Sequence, residues 1–140
     1  MIATLLTCSD VDIAARTVWG EARSESYEGM KAVAHVLWNR YYARHRKENT
    51  LAGIATEPYQ FSCWLDSDPN RAKLHQVTMS DPKFRLAWRA VLEAHEENQT
   101  GDDPTSGAQH YKTAKARPKW ALGHEPVAVI GRHQFYAGIR

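Results

Sequence analysis

Cysteine is scarce in this 140-residue chain, which has only Cys8 and Cys63. That excludes a secreted disulfide scaffold, and no CxxC or Cys/His spacing marks a zinc site. The two are read as reduced thiols of a cytosolic product. Net charge is also small: 18 Lys+Arg against 16 Asp+Glu leaves +2, too little to argue for a nucleic-acid partner. No apolar run approaches a membrane span, so membrane insertion is not expected. The opening MIATLLT lacks a basic stretch and reaches Ser9-Asp10 too soon for a signal peptide. The expectation is synthesis in the cytoplasm without an export signal. HExxH, GxSxG and glycine-rich phosphate loops are missing, so no motif offers metal, serine-nucleophile or nucleotide chemistry. No metal and no cofactor are expected.

What is present reads as globular. Hydrophobic residues make up 43% and charged residues 24%, near the averages of folded domains. The length suits one domain over 1–140, acting as a monomer. The charge is unevenly placed. Residues 1–103 carry 12 basic and 15 acidic side chains, whereas 104–140 carry six basic ones against Glu125 alone, net +5. Such a lobe either meets an anionic partner or is a solvated basic loop.

Helical spacing predicts a first helix from about Asp10 to Ala22, capped by Ser9, with Asp10 and Asp12 at its positive end. Val11, Ala14, Ala15, Val18 and Ala22 form its apolar face. A second helix is predicted from Tyr27 to about His45, with Met30, Val33, Ala34, Leu37 and Tyr41 inward and a basic end at Arg44–Lys47. Thr50–Ala55 reads as a short helical turn, stopped by Glu57-Pro58. Tyr59–Leu65 has no helical pattern and reads as extended or loop. Asp68-Pro69 caps a short helix to about Val77. Ser80-Asp81-Pro82 caps a long one to about Gln99, with Phe84, Ala87, Trp88, Val91, Leu92 and a core histidine, His95, inward. After a turn-rich loop at 100–107 the period changes, and 126–136 reads as two strands around Gly131-Arg132. The fold class expected is α+β: a mainly helical lobe, then a small antiparallel hairpin lobe.

Glu21 is the outstanding polar residue. It follows Trp19-Gly20 near the end of the first helix, where glycine costs about 1 kcal/mol against alanine. One reason to tolerate Gly20 is close approach of another group to the backbone beside Glu21. A carboxyl in a partly dry site beside Trp19 suits a general acid; a surface glutamate paired with Arg23 or Arg16 is the alternative. A second feature is the set Tyr59, Phe61, Trp64, Tyr111, Trp120, Phe135 and Tyr136, interleaved with Gln60, Ser62, His110, His133 and Gln134. Flat rings among hydrogen-bonding groups suit a sugar or a base, and equally an aromatic core.

Several segments together carry a resemblance. Residues 14–23 (AARTVWGEAR) and 27–40 (YEGMKAVAHVLWNR) resemble the opening of the spore-cortex-lytic type of cell wall hydrolases, an acidic EAR followed by a helix ending in Asn-Arg. Residues 58–62 (PYQFS), 103–111 (DPTSGAQHY), Lys119-Trp120, Pro126-Val127 and 130–135 (IGRHQF) are similar to later segments of that family, in the same order. The resemblance implies a lysozyme-like fold and cleavage of the β-1,4 bond between N-acetylmuramic acid and N-acetylglucosamine. It implies Glu21 as the single catalytic acid of a lytic transglycosylase. Gln60, Ser62, His110, Tyr111 and His133 are then candidates for positioning the sugar, and Phe61, Trp64, Trp120 and Phe135 for lining or stacking on it. Lacking an export signal and a wall-binding domain, the chain looks like a phage or prophage endolysin that reaches the wall after release. Three alternatives stay open: a hydrolytic muramidase with a second carboxylate among Glu25, Glu28, Glu57 and Asp66; a metal-dependent amidase; and a non-enzymatic module binding an anionic polymer.

Overall fold

Helix α1 runs over Cys8–Ala22 in a computed structural model that describes residues 8–43, 50–57 and 60–139. The basic end expected for the second helix, together with Pro58 and Tyr59, lies outside the described residues. Ser9 sits inside α1 rather than capping it. Asp10 does not serve the dipole of α1 alone: it is buried, and its Oδ1 accepts the Ala52 N–H at 3.0 Å. With Thr50, whose Oγ1 accepts from Gly53 N at 2.9 Å, it satisfies the first N–H groups of α3, Leu51–Thr56.

Helix α2, Tyr27–Tyr42, is capped by Ser26 and buried on nearly every side. Its expected stripe of Met30, Val33, Ala34, Leu37 and Tyr41 meets Val11, Ala14 and Val18 of α1. A second apolar face, which the sequence reading left out, presents Ala32 and Val36 to Ala108 and Phe135 under the sheet. α2 is therefore the spine between the two lobes, and a stripe covers only half of what a spine must bury.

Tyr59–Leu65 was expected to be loop or extended; its described part tightens into a 3₁₀ turn at Ser62–Trp64. Helix α4, Asn70–Gln76, starts where Asp68 Oδ1 accepts the Asn70 N–H at 2.7 Å. Helix α5, Pro82–Thr100, starts as expected, with Asp81 accepting from Lys83 N and Phe84 N. Its buried residues are Phe84, Ala87, Ala90, Val91 and Ala94. Leu92 points outward at 48% exposed, because it lies about 100° around the helix from Val91. Trp88 is half-buried. His95 is satisfied, bonded to the Tyr42 hydroxyl at 2.6 Å and packed 4.4 Å from the Trp38 ring.

The sheet has three strands, one more than the hairpin expected. Strand β1 is His110–Thr113, β2 Ala128–Ile130 and β3 His133–Tyr136, in the order β1-β3-β2, all antiparallel. The hairpin register pairs Ile130 with His133, so Gly131 and Arg132 form the turn. Gly131 has φ +59, and a Cβ there would stand 2.3 Å from Glu25 Oε1. Both facts require glycine. Glu25 is buried and accepts from Arg132 N at 2.9 Å and Arg132 Nε at 2.8 Å, which pins the turn to the helical lobe.

Candidate active site

Glu21 stands in the last turn of α1, and the chain comes back to it twice. The 3₁₀ turn brings Cys63 N–H within 3.2 Å of Oε2 and the Ser62 hydroxyl within 3.4 Å of it. Strand β1 brings the Tyr111 hydroxyl, which donates to Oε1. Gly20 is what admits the 3₁₀ turn. A Cβ at position 20 would lie 2.7 Å from Leu74 Cδ2, 2.9 Å from Cys63 Cβ and 3.0 Å from its Sγ. The close approach inferred from the glycine is therefore present. The alternative pairings are not: Arg16 bonds Asp12 and the carbonyls of Leu74 and Val77. Arg23 covers the Trp19 ring at 4.3 Å and donates to Asn70.

Tyr111 owes its place to the far end of α2. Asn39 donates to Asp103 Oδ2 at 2.8 Å and to the Ala108 carbonyl at 2.9 Å, and Arg40 Nε donates to the Gln109 carbonyl at 2.6 Å. Asp103 in turn gathers Thr105 N, Thr105 Oγ1 and Gly107 N. The Asn-Arg and DPTSGA segments are thus the two halves of one clasp that delivers β1 to Glu21. Burial works to raise the Asp103 pKa, but its hydrogen bonds from Thr105 and Asn39 outweigh it and hold the carboxylate low.

Two hollows meet at Glu21. The larger, about 510 Å³, is lined on one side by Ser62, Cys63, Asp68 and Asn70, and on the other by Lys112, Thr113, Ala116, Pro118 and His133. The smaller, about 300 Å³, is lined by Arg40, Gln60 and His110. Glu21, Ser62, Tyr111 and Trp120 line both. Burial and the Glu21 carboxylate push the Tyr111 phenol well above its usual range. Burial likewise raises the Cys63 thiol. His133 is 7% exposed, its ring meets Tyr111 edge-on at 4.8 Å, and its Nδ1 has no hydrogen-bond partner. Burial lowers its pKa against the pull of Glu25 and Glu21, so it stands in the cleft as a neutral imidazole near neutral pH.

Of the residues singled out from sequence, the structure brings Glu21, Gln60, Ser62, His110, Tyr111, Trp120 and His133 together around these hollows. Three it places elsewhere. Trp64 donates its indole N–H to Thr17 Oγ1 at 2.8 Å and lines a separate hollow with Glu57 and Asp66, so it fastens the 3₁₀ turn rather than stacking on a ligand in the Glu21 cleft. Phe135 is fully buried on α2, with no face left for a ligand. Phe61 is 2% exposed beneath the Arg40 guanidinium and shares the hollow of Trp64. The sequence reading missed Asp68, Asn70, Arg40 and the 112–118 wall as lining residues. Asp68 had shown only as a helix cap.

A glutamate between two hollows can give a proton to an oxygen bridging two sugar rings, one in each. The sequence candidates for a second carboxylate do not reach it. Glu25 is held by Arg132, Glu28 is exposed beside Lys31, Asp66 pairs with Arg71, and Glu57 lines the other hollow. Asp68 is the one further carboxylate lining the larger hollow among the described residues.

The site is an open cleft holding Glu21 and Asp68, set between a helical body and a small sheet. Comparison places it more closely: residues 24–136 match the Cell Wall Hydrolase family, and the chain belongs to that family. Glu21 lies just ahead of the matched stretch. The spore cortex-lytic enzymes of Halalkalibacterium halodurans and Bacillus subtilis are each 33% identical over 128 residues, 91% of this chain. Those residues are 34% and 37% of the two enzymes, so the chain spans about a third of their length. Among solved structures, the catalytic domain of the germination-specific lytic transglycosylase SleB from Bacillus anthracis is 30% identical, with a TM-score of 0.69 over 93% of this chain and 95% of that one. The catalytic domain of Bacillus cereus SleB gives 0.71 over 92% and 90%.

Proposed function

We propose that this chain cleaves the glycan strand of peptidoglycan as a lytic transglycosylase, with Glu21 as its single acid and base. The observation that carries the reading is the placing of Glu21 at the junction of two hollows, under donors from the 3₁₀ turn and β1. Protonated Glu21 gives its proton to the bridging oxygen. The C1–O bond of the muramoyl ring breaks, and the glucosaminyl part leaves as an alcohol. The C6 hydroxyl of the same muramoyl ring then attacks the cationic C1, and the Glu21 carboxylate takes its proton. The product is a 1,6-anhydro sugar and the acid is restored. The Tyr111 hydroxyl, able to donate or accept, stays on Oε1 in both states. His133, Gln60 and His110 position the two rings, with Trp120 as the stacking face.

The test is a digest of purified peptidoglycan in ¹⁸O-water, read by mass spectrometry. Anhydro ends without label support the proposal; labelled reducing ends refute it. Glu21→Gln should lower turnover at least about a hundredfold in a folded protein. One observation favours a second reading: Asp68 shares the cleft and could direct water at C1. In that case the digest carries label and Asp68→Asn abolishes it.

The proposal includes a monomer working in a phage-type lysis setting, made in the cytoplasm and reaching the wall on release, without a nucleic-acid partner. A net charge of +2 supports the last point. No helix of the described residues is long and apolar enough to cross a membrane. Expression with and without a membrane-permeabilising protein tests the setting: lysis only with it is the expected outcome.

A further inference from the structure

We infer that a hollow beside the hairpin turn, lined by Thr113, Lys115, Val129, Arg132 and Gln134, binds the peptide carried by the muramoyl sugar through its free carboxylates. The inference rests on the peptidoglycan reading above. The hollow holds about 400 Å³ and takes no part in the arrangement around Glu21. It joins the cleft at Thr113, the last residue of β1, which lines both. On β3 the two are back to back: His133 faces the cleft, while its neighbours Arg132 and Gln134 line the hollow. A substituent leaving the cleft over Thr113 enters it directly.

The lining selects for an anion. No Asp or Glu is among the lining residues. Lys115 is exposed and forms no ion pair with a described residue. Arg132 is fixed in orientation, with Nε on Glu25 at 2.8 Å and Nη2 on Ser24 at 2.8 Å, which leaves Nη1 for a ligand. The carbonyl oxygen of Gln134 is engaged by Lys112 and Tyr136, so its amide N–H groups remain as donors. Val129, 64% exposed, offers an apolar contact suited to an alanine methyl. The cleft itself carries two carboxyls, Glu21 and Asp68, offset by Lys112 and by Arg40 of the smaller hollow, and suits the uncharged rings of the glycan. Division of labour between a charge-balanced cleft and a cationic hollow matches a polymer whose backbone is neutral and whose side peptides are anionic. It also gives Lys115 and Arg132, two of the six basic residues of 104–140, a local purpose.

Two measurements on the whole chain test this. In the first, ¹⁵N-labelled protein is titrated with a synthetic stem peptide bearing free carboxylates and with its amidated form. Amide shifts at 113–115 and 129–134 with the free form alone, lost in Lys115→Glu, are expected. No shifts, equal shifts with both peptides, or shifts confined to the surroundings of Glu21 would overturn the inference. In the second, KM is compared on peptide-bearing and peptide-stripped glycan. A preference of about fivefold for the peptide-bearing strand, falling towards one in Lys115→Glu, is expected for an exposed charge pair. Equal KM values for the wild type would overturn it. If neither glycan is cleaved, the transglycosylase reading fails, and the peptide titration still decides the hollow.

Discussion

Replacing Gly20 by alanine sets helix propensity against the geometry of the site. In an ordinary helix the change would add about 1 kcal/mol. Here the new Cβ meets Cys63 Cβ at 2.9 Å, where ordinary contact begins at 3.4 Å, so Cys63 must withdraw by about 0.5 Å. Leu74 Cδ2, at 2.7 Å, must rotate within a fully buried site. Overpacking of this kind costs roughly 1–3 kcal/mol. The net expectation is a loss of about 1 kcal/mol, or about 3–4 °C in Tm for a domain of this size. The functional effect should be larger. The Cys63 N–H to Glu21 bond is 3.2 Å; a further half ångström takes it out of hydrogen-bond range. Small misplacement of a catalytic group can cost up to about a hundredfold. Thermal melts together with initial rates on purified peptidoglycan measure both. Cys63→Gly in the same chain removes the two sulfur-side contacts and should restore part of the rate, a coupling that a double-mutant cycle reads directly. A Gly20→Ala protein that melts above the wild type and retains its rate within twofold would refute the argument.

Tyr111→Phe keeps the ring against Phe61, His133 and Phe135 but removes the hydroxyl from Glu21; kcat should fall about tenfold, with a loss of about 1 kcal/mol in stability, as single-turnover rates and calorimetry would show. Trp120→Ala, in the 3₁₀ turn Lys119–Ala121 between His110 and Tyr136, should raise KM about three- to tenfold through lost stacking on the sugar, and a large fall in Tm instead would make it a core residue. Glu25→Gln weakens the pin on the hairpin turn and should cost about 1–2 kcal/mol near neutral pH. Burial works to raise the Glu25 pKa, but the bonds from Arg132 and the neighbouring His133 outweigh it and hold it below the ordinary 4.5. A depressed carboxylate contributes its full stability above the unfolded pKa and loses it as pH falls through the folded one. Chemical denaturation across pH should therefore show the gap between wild type and variant closing only below about pH 4.5.

The helices were legible because each buries a face at its own period. The close approach beside Glu21 was legible because Gly20 breaks helix preference for a reason that lies next to it. What escaped was set by distant contact. His110–Thr113 has no alternation of its own; β3 makes it a strand. Trp64 and Phe135 look like any other exposed-or-buried aromatics until Thr17 and α2 claim them. Asp68 accepts the first N–H of a short helix and also lines the cleft, and a sequence displays only the first task. The two-sided burial of α2 was hidden because alanine and valine at 32 and 36 blur a stripe that a spine does not need.

The order β1-β3-β2 has a meaning in time. A ribosome makes β3 after both of its partners, yet β3 is the strand between them. Until His133–Tyr136 has left the tunnel, β1 has no strand to pair with, and only the clasp from α2 holds Tyr111 towards Glu21. The helical body, whose elements α1 to α5 are all made before β2 and β3, can gather first. The nascent chain can thus hold Glu21 in a formed helical body while its sheet is unbuilt, and the last-made described strand completes the sheet.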